Sequence, residues 1–222
     1  MRTALELDGG EARFLLLDLD ERERAAAGDL WFAEEGPAWV KRFEARAGCR
    51  AYPRFAACAR ELLDQTSRLV PARWEHALEV LIERAGHVEW WLGGSAALAV
   101  RGAAVEPRDL DLVTSAEGAE ELARRLDDLL VEPLTIGDGW IATHFARAFE
   151  GARIEWIGNV VAGASGAGAP GARDFGAAAE ARLEVVPWRG HELRVPPLEL
   201  QRASAAARGL DDRVAAIDAR PR

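Results

Sequence analysis

Two aspartates separated by one residue stand out in the run Arg108-Asp109-Leu110-Asp111-Leu112-Val113. On a β-strand, residues two apart point to the same face, so Asp109 and Asp111 would present their carboxylates side by side. Two like charges at that spacing repel each other, and they are stable mainly when a divalent cation bridges them. The exposed polar face of an edge strand would give the same spacing. The pattern therefore predicts either a metal site or a polar sheet edge.

A glycine turn precedes the aspartates. The apolar run 90–92 leads into Gly93 and Gly94, and Ser95 opens a predicted helix. Glycines let a phosphate approach the backbone closely, and the free N–H groups at a helix start favour an anion. Ser95 would add a hydroxyl donor. An ordinary strand–turn–helix with a serine N-cap fits the same residues.

The turn and the aspartate pair, about 15 residues apart, form a more specific pattern than either does alone. At this point the sequence resembles the DNA polymerase β-like nucleotidyltransferase superfamily. The resemblance is greatest to its small members, the aminoglycoside and lincosamide adenylyltransferases and the nucleotidyltransferase toxins. Gly94 and Ser95 match the phosphate-binding turn, and Asp109 and Asp111 match the metal-binding pair. The resemblance covers residues 88–160 and, more loosely, the C-terminal helices.

This resemblance implies a third carboxylate on a later, neighbouring strand, and Glu155 is the candidate. It lies in an otherwise apolar run, residues 152–157, where an unpaired buried carboxylate would be costly. Sharing the metal with the two aspartates, or acting as general base on an acceptor hydroxyl, would explain it, as would an ion pair with a neighbouring arginine. The superfamily more often has aspartate at this position.

The resemblance also implies the nucleotide contacts and the cofactor. Gly93, Gly94, Ser95 and Arg108 are expected to bind an NTP, with ATP the expected one. Asp109, Asp111 and Glu155 are expected to be the catalytic residues and the Mg²⁺ ligands.

Weaker candidates lie outside these motifs. His144 is expected to face the same cleft, although a lone histidine on a strand is more often structural. Arg202 and Arg208 stand where the superfamily more often has a triphosphate-binding lysine. Arg101 is expected to be a solvated surface side chain, and Asp211 to be a helix N-cap.

The predicted fold class is α+β, with a mixed sheet of the polymerase-β-like type flanked by helices and an N-terminal α/β extension. Pro71 marks the expected boundary between an extension of unknown role (1–72) and a nucleotidyltransferase-like domain (73–222). Expected elements of the extension are a strand at 13–19 and helices at 36–47 and 53–68. Pro37 suits the first turn of a helix and Gly48 the position beyond its end.

The elements expected in the second part follow from the apolar spacing and the turn residues. The predicted helices cover 72–85, 95–101, 116–130, 197–208 and 211–219, with a short one at 176–181 after an Ala/Gly-rich loop. The predicted strands cover 87–92, 109–113, 131–136, 140–149 and 152–158, with a hairpin at 183–187 and 192–195.

Composition limits the classes of function. A net charge of −9, from 37 acidic and 28 basic residues, disfavours extended binding to nucleic acid. The sequence contains no apolar run of about 18 residues, so no membrane span is predicted, and the polar N-terminus lacks a signal-peptide pattern. With only two cysteines, a cytoplasmic location is expected.

The favoured function is transfer of a nucleoside monophosphate to a hydroxyl of a small-molecule acceptor. A toxin-like transferase acting on tRNA or protein, and a non-catalytic binding module, are the alternatives.

Overall fold

The computed structural model describes residues 1–137, 141–161 and 174–219. Its N-terminal part is a four-stranded antiparallel sheet of order β1-β2-β4-β3. These strands are β1 (Arg2–Asp8), β2 (Glu11–Leu17), β3 (Ala33–Glu35) and β4 (Ala38–Glu44).

The second sheet has five strands in the order β5-β6-β9-β8-β7. Strands β6 and β9 are parallel, and the other neighbouring pairs are antiparallel. These strands are β5 (Trp90–Leu92), β6 (Asp109–Thr114), β7 (Leu130–Ile136), β8 (Ala142–Phe149) and β9 (Arg153–Val160). The predicted α+β class with a mixed sheet is therefore confirmed.

Helices flank both sheets, and a separate hairpin follows the second one. The hairpin pairs β10 (Glu184–Trp188) with β11 (His191–Val195). The helices are α1 (Glu21–Asp29), α2 (Ala45–Thr66), α3 (Trp74–Ala85), α4 (Gly94–Ala99), α5 (Ala116–Arg125), α6 (Ala177–Glu180), α7 (Leu198–Ala207) and α8 (Asp211–Asp218), with a 3₁₀ turn at Asp127–Leu129.

Helix α2 connects the two sheets through its apolar face. It packs against β2 on one side and β7 on the other, and one hydrophobic cluster extends from Phe14 to Trp156. A Cβ on Gly48 would lie 2.4 Å from the Cβ of Ala12, so the helix can approach β2 this closely only at a glycine. Burial of this shared apolar surface fixes the N-terminal sheet against the second sheet.

The helix predicted at 36–47 is wrong. Residues 38–44 form β4, and Gly48 lies inside α2 instead of beyond a helix end. Both faces of β4 carry apolar residues. Val40 on one face packs in a small outer cluster, whereas Phe43 on the other face joins the main core. A strand with two apolar faces lacks a clear period of two, which explains the error. Its register places Lys41 on the same side as Phe43.

The elements predicted for the second part agree with the structure to within a few residues at most ends. The main difference is that the helix expected at 116–130 ends at Arg125. Position 140 of one predicted strand, and residues 162–173 of the Ala/Gly-rich segment, lie outside the described residues. In the described part of the chain, no helix is both long and apolar enough to cross a bilayer.

Candidate active site

A row of charged side chains crosses four neighbouring strands of the five-stranded sheet at one level. Glu132 of β7 is paired in register with Arg147 of β8, Arg147 with Glu155 of β9, and Glu155 with Asp111 of β6. Because residues in register on neighbouring strands point to the same face, and strands lie about 4.8 Å apart, adjacent members interact directly. The row ends at Lys41 of β4, whose Nζ lies 2.5 Å from Glu132 Oε2.

Arg147 is the centre of this row. Its side chain is 1% exposed, and it forms ion pairs with Glu132 and, through Nε at 2.9 Å, with Glu155 Oε1. The two carboxylates raise the pKa of this arginine further above its ordinary range, against the effect of burial. Loss of water around Lys41 lowers its pKa to about 8, despite the attraction of Glu132. Charges therefore alternate from Lys41 to Glu155.

A second arginine, Arg153, links the two strands that carry the carboxylates. It donates from Nη2 to Asp109 Oδ2 (2.6 Å), and its Nη1 lies 3.2 Å from Glu155 Oε1. Both arginine contacts of Glu155 use the same oxygen, Oε1. Although burial opposes it, attraction by Arg147 and Arg153 lowers the pKa of Glu155 below its usual range. Glu155 is thus ionised at neutral pH, with its orientation fixed.

The alternation of charge breaks at Asp111, which stands beside Glu155 and two residues from Asp109. No ion pair joins it to any residue in the described ranges 1–137, 141–161 and 174–219. Burial, followed by repulsion from Asp109 and Glu155, raises its pKa well above the ordinary aspartate value. Burial and Glu155 also raise the pKa of Asp109. This is the position in the row where a bound cation would stabilise the structure most.

The glycine turn lies directly against Asp111. The Gly93 N–H donates to the backbone oxygen of Asp111 at 2.7 Å, and Gly94 has φ +57°. A Cβ on Gly94 would lie 1.9 Å from Asp111 Oδ2. The turn and the aspartate pair, noticed separately in the sequence, thus form one structure. The N-cap of α4 is Gly93, so the alternative of a serine N-cap at Ser95 is wrong.

Changing Gly94 to alanine is expected to damage this site. The new methyl group would displace the Asp111 carboxylate and would require a strained positive φ, which costs about 1 kcal/mol or more. We expect nucleotide affinity in the presence of Mg²⁺ to fall at least about tenfold, measured by calorimetric titration. Gly102→Ala is the matched control, because Gly102 has φ +81° but nothing within 4 Å of its Cβ position. Equal affinities in the two variants would contradict the close contact with Asp111.

Four members of the charged row, Lys41, Glu132, Glu155 and Asp111, line a cavity of about 790 Å³. Arg108, Asp109, Asp111 and Glu155 all border it, together with residues from both parts of the chain. Ser95 lies instead in a neighbouring cavity of about 840 Å³. Other residues that border the first cavity include Trp31, Lys41, Arg42, Glu132, His144, Phe145, Phe175, Arg208 and Arg213.

Three arginines stand where the two cavities meet. Arg108 and Arg213 border both cavities, and Arg208 borders the first. None of the three has an ion-pair partner in the part of the chain that the structure describes. Burial and the like charges of Arg208 and Arg108 lower the pKa of Arg213. Asp111 and Asp109 attract Arg213 without forming an ion pair with it, and a cluster of three arginines of this kind is suited to a polyanion.

The structure separates two weaker candidates, His144 and Arg202. His144 borders the cavity, but it lies on the opposite sheet face from Arg147, and its Cβ faces Gly158 beside α5. Arg202 pairs with Asp218 on the surface (2.7 Å), away from the cavity.

Two further corrections concern the flanking elements. Arg101 is 9% exposed and bound to Glu184, so it is not a solvated side chain. Helix α8 begins at Asp211 itself, with Leu210 at its N-cap, so the predicted capping role is wrong.

Asp109 and Asp111 fit a divalent cation, whereas the three carboxylates together do not form a complete metal site. Across residues 1–137, 141–161 and 174–219, no three His, Cys, Asp or Glu side chains converge to hold a metal ion. Mg²⁺ commonly uses one or two carboxylates and completes its shell with water and substrate phosphates. A largely buried carboxylate with a raised pKa and no cationic partner, as at Asp111, suits that arrangement.

Part of the chain matches a known protein family. Residues 77–150 match the sequence profile of the family described as aminoglycoside-2''-adenylyltransferase. The match covers the glycine turn and both aspartates but ends before Glu155. It confirms the predicted resemblance to nucleotidyltransferases over about a third of the chain. No curated protein sequence matches significantly.

Solved nucleotidyltransferase structures resemble this chain at low sequence identity. One from Thermotoga maritima has 18% identity and a TM-score of 0.49, over 65% of this chain and 89% of that one. The lincosamide adenylyltransferase LnuA with bound lincomycin has 13% identity and a TM-score of 0.42, over 65% and 94%. ANT(2'')-Ia in complex with adenylyl-2''-tobramycin has 16% identity and a TM-score of 0.34, over 64% and 91%.

Sequence reasoning missed part of the site. Arg147 and Arg153 are basic residues inside apolar strands, and the argument applied to Glu155 would have found them. Lys41 is the only lysine in the chain, but the wrongly predicted helix hid its orientation. No sequence feature of this kind marks Glu132 or Arg213 as part of the site.

Proposed function

We propose that the protein transfers a nucleoside monophosphate from an NTP, with ATP the expected donor, to a hydroxyl of a small-molecule acceptor. One observation carries this proposal: Asp109 and Asp111 border the same cavity as the cluster Arg108, Arg208 and Arg213. A carboxylate pair in which Asp111 lacks an ion pair, beside three arginines that also lack one among the described residues, matches a metal–triphosphate complex. The profile match over residues 77–150 supports the same reaction class.

The arginines and the turn would bind the triphosphate. Arg213 and Arg208 present unpaired positive charge at the cavity wall, and Arg108 adds a third charge next to Asp109. In the turn, Gly94 brings the backbone directly against Asp111, whereas the Phe175 ring covers Gly93 and Ser95 borders the neighbouring cavity. Fixed cations both position the phosphates and stabilise the charge that develops during transfer.

Asp109 and Asp111 would hold Mg²⁺, which supplies charge neutralisation at the phosphates and orients them. Glu155 is the proposed general base. Arg147 and Arg153 hold its Oε1 and keep it ionised, which leaves Oε2 to accept the proton of the acceptor hydroxyl. The deprotonated hydroxyl oxygen of the acceptor then attacks the α-phosphorus in line, and pyrophosphate leaves. The arginine contacts favour this role for Glu155 over ligation of the metal.

Arg213→Gln tests the triphosphate site. We expect it to weaken binding of a non-hydrolysable ATP analogue, with Mg²⁺ present, about 10- to 100-fold, because charged hydrogen bonds contribute about 1.5–3 kcal/mol. The affinity for AMP, which lacks the β- and γ-phosphates, should fall much less. Arg202→Gln is the control, since Arg202 pairs with Asp218 on the surface of neighbouring α7. An equal loss in both variants would contradict the arginine cluster as the triphosphate site.

A further inference from the structure

Trp31 is an exposed aromatic side chain held in a strained backbone conformation at the cavity wall. It lies in the turn between α1 and β3, is 55% exposed and has φ +63°. Positive φ is uncommon for a bulky residue and is costly unless the surroundings fix it. Here the Trp31 N–H donates to Gly28 O at 2.8 Å, and Lys41 Nζ donates to Leu30 O at 2.9 Å.

The Trp31 ring joins the N-terminal sheet unit to the five-stranded sheet. Its centroid lies 5.0 Å from that of Phe145 on β8. Lys41 Nζ and the Arg147 guanidinium carbon lie 5.3 Å and 5.5 Å from the ring centroid. Lys41 and Arg147 of the charged row thus support the Trp31 ring, which borders the same cavity as Glu155.

The charged side chains near Trp31 and Phe145 are paired with side chains of opposite charge. Lys41 and Arg147 pair with Glu132, and Arg42 pairs with Glu35. Of the described carboxylates that line the cavity, Glu132, Glu155 and Asp109 are held by basic side chains, and Asp111 is assigned to the cation. Within the described residues, no lining carboxylate therefore remains for an ammonium group of an acceptor.

We propose that Trp31 and Phe145 form the acceptor subsite and select an uncharged, hydroxylated ring compound, such as a neutral glycoside. The apolar face of the Trp31 ring packs against a sugar or aromatic ring of the acceptor, and a hydroxyl of the acceptor reaches Glu155. This inference rests on the proposed transferase function. It also gives the N-terminal unit a role, since that unit supplies both Trp31 and the lysine that fixes its turn.

Titration with two probes tests the subsite. The protein is first saturated with Mg²⁺ and a non-hydrolysable ATP analogue, and then titrated with neutral 4-nitrophenyl β-glucoside or with polycationic tobramycin. We expect the glucoside to bind and tobramycin to show no binding. Trp31→Ala should weaken glucoside binding about tenfold, whereas Trp31→Phe should keep it within about threefold, because a ring remains available.

The control is Leu7→Ala, which removes an exposed apolar side chain on β1 outside the cavity lining. Nucleotide affinity should be unchanged in every variant, which separates loss of the subsite from misfolding. Failure of the wild type to bind the nucleotide analogue would overturn the transferase function and the subsite together. Nucleotide binding without glucoside binding, equal glucoside affinity in Trp31→Ala, or tighter binding of tobramycin would overturn the subsite alone.

Discussion

Asp111→Asn is expected to abolish nucleotide transfer while making the metal-free protein more stable. Asp111 is largely buried, makes no ion pair with a described residue, and is repelled by Asp109 and Glu155 more strongly than Arg153 and Arg213 attract it. An amide has nearly the same shape but no charge, so it removes this repulsion. The same change removes a direct ligand of the proposed cation. Because changing even an outer partner of a metal ligand costs about 10- to 100-fold, loss of the ligand itself should cost at least about 100-fold in rate.

The stability difference should depend on pH in a defined direction. A carboxyl whose pKa is raised in the folded protein loses its proton first in the unfolded chain, so the wild type becomes less stable as pH rises. Asp111→Asn and wild type should therefore unfold alike near pH 4, around the ordinary aspartate pKa. Above that pH the variant should melt progressively higher, by about 2–4 °C for each kcal/mol of repulsion removed.

Thermal unfolding in chelator, followed from acidic to neutral pH, measures this difference. Asp212→Asn serves as control, because Asp212 lies on α8 and is exposed. A variant that melts below wild type at neutral pH without metal would show that Asp111 is not under electrostatic strain.

Arg147→Met is expected to be the most destabilising single change in the charged row. The substitution leaves Glu132 and Glu155 buried without their central partner. Removing one partner of a buried ion pair typically costs about 3–5 kcal/mol. For a chain of this size that corresponds to a fall in Tm of roughly 10 °C, measured by calorimetry at neutral pH.

Two variants sharpen this test. Arg147→Lys should recover part of the stability, since it restores one positive charge but cannot reproduce both contacts at once. Arg124→Met removes an exposed arginine paired with Glu121, and its effect should stay below about 1 kcal/mol. Similar losses in Arg147→Met and Arg124→Met would contradict a structural role for the buried row.

The sequence predicted the centre of the site because local patterns encode it. Gly93-Gly94-Ser95 and Asp109-x-Asp111 are short motifs whose geometry follows from one turn and one strand. The family resemblance implies a third carboxylate, and Glu155 is its candidate because an acidic residue in an apolar strand needs a partner. The structure shows that this partner includes Arg147 and Arg153, so the ion pair considered as an alternative exists alongside the proposed catalytic role.

The rest of the site depends on contacts between residues distant in sequence. Lys41 and Glu132 are 91 positions apart, and their pairing follows from the packing of α2 between the two sheets. Trp31 reaches the cavity only because α1 and β3 are joined by a turn with positive φ. No local period predicts such contacts. The separation of residues 1–72 as an extension of unknown role stays a prediction, but their side chains share the core and border the cavity.

Transfer of label from ATP is the most direct test of the central claim. The wild-type protein is incubated with an ultrafiltered extract of small metabolites and ATP labelled at either the α- or the γ-phosphate, with or without Mg²⁺. The account predicts that α-label appears on a small-molecule product, with equal release of pyrophosphate, only when Mg²⁺ is present, and that Asp111→Asn gives none. Transfer of γ-label, or equal α-label transfer by wild type and Asp111→Asn, would contradict it.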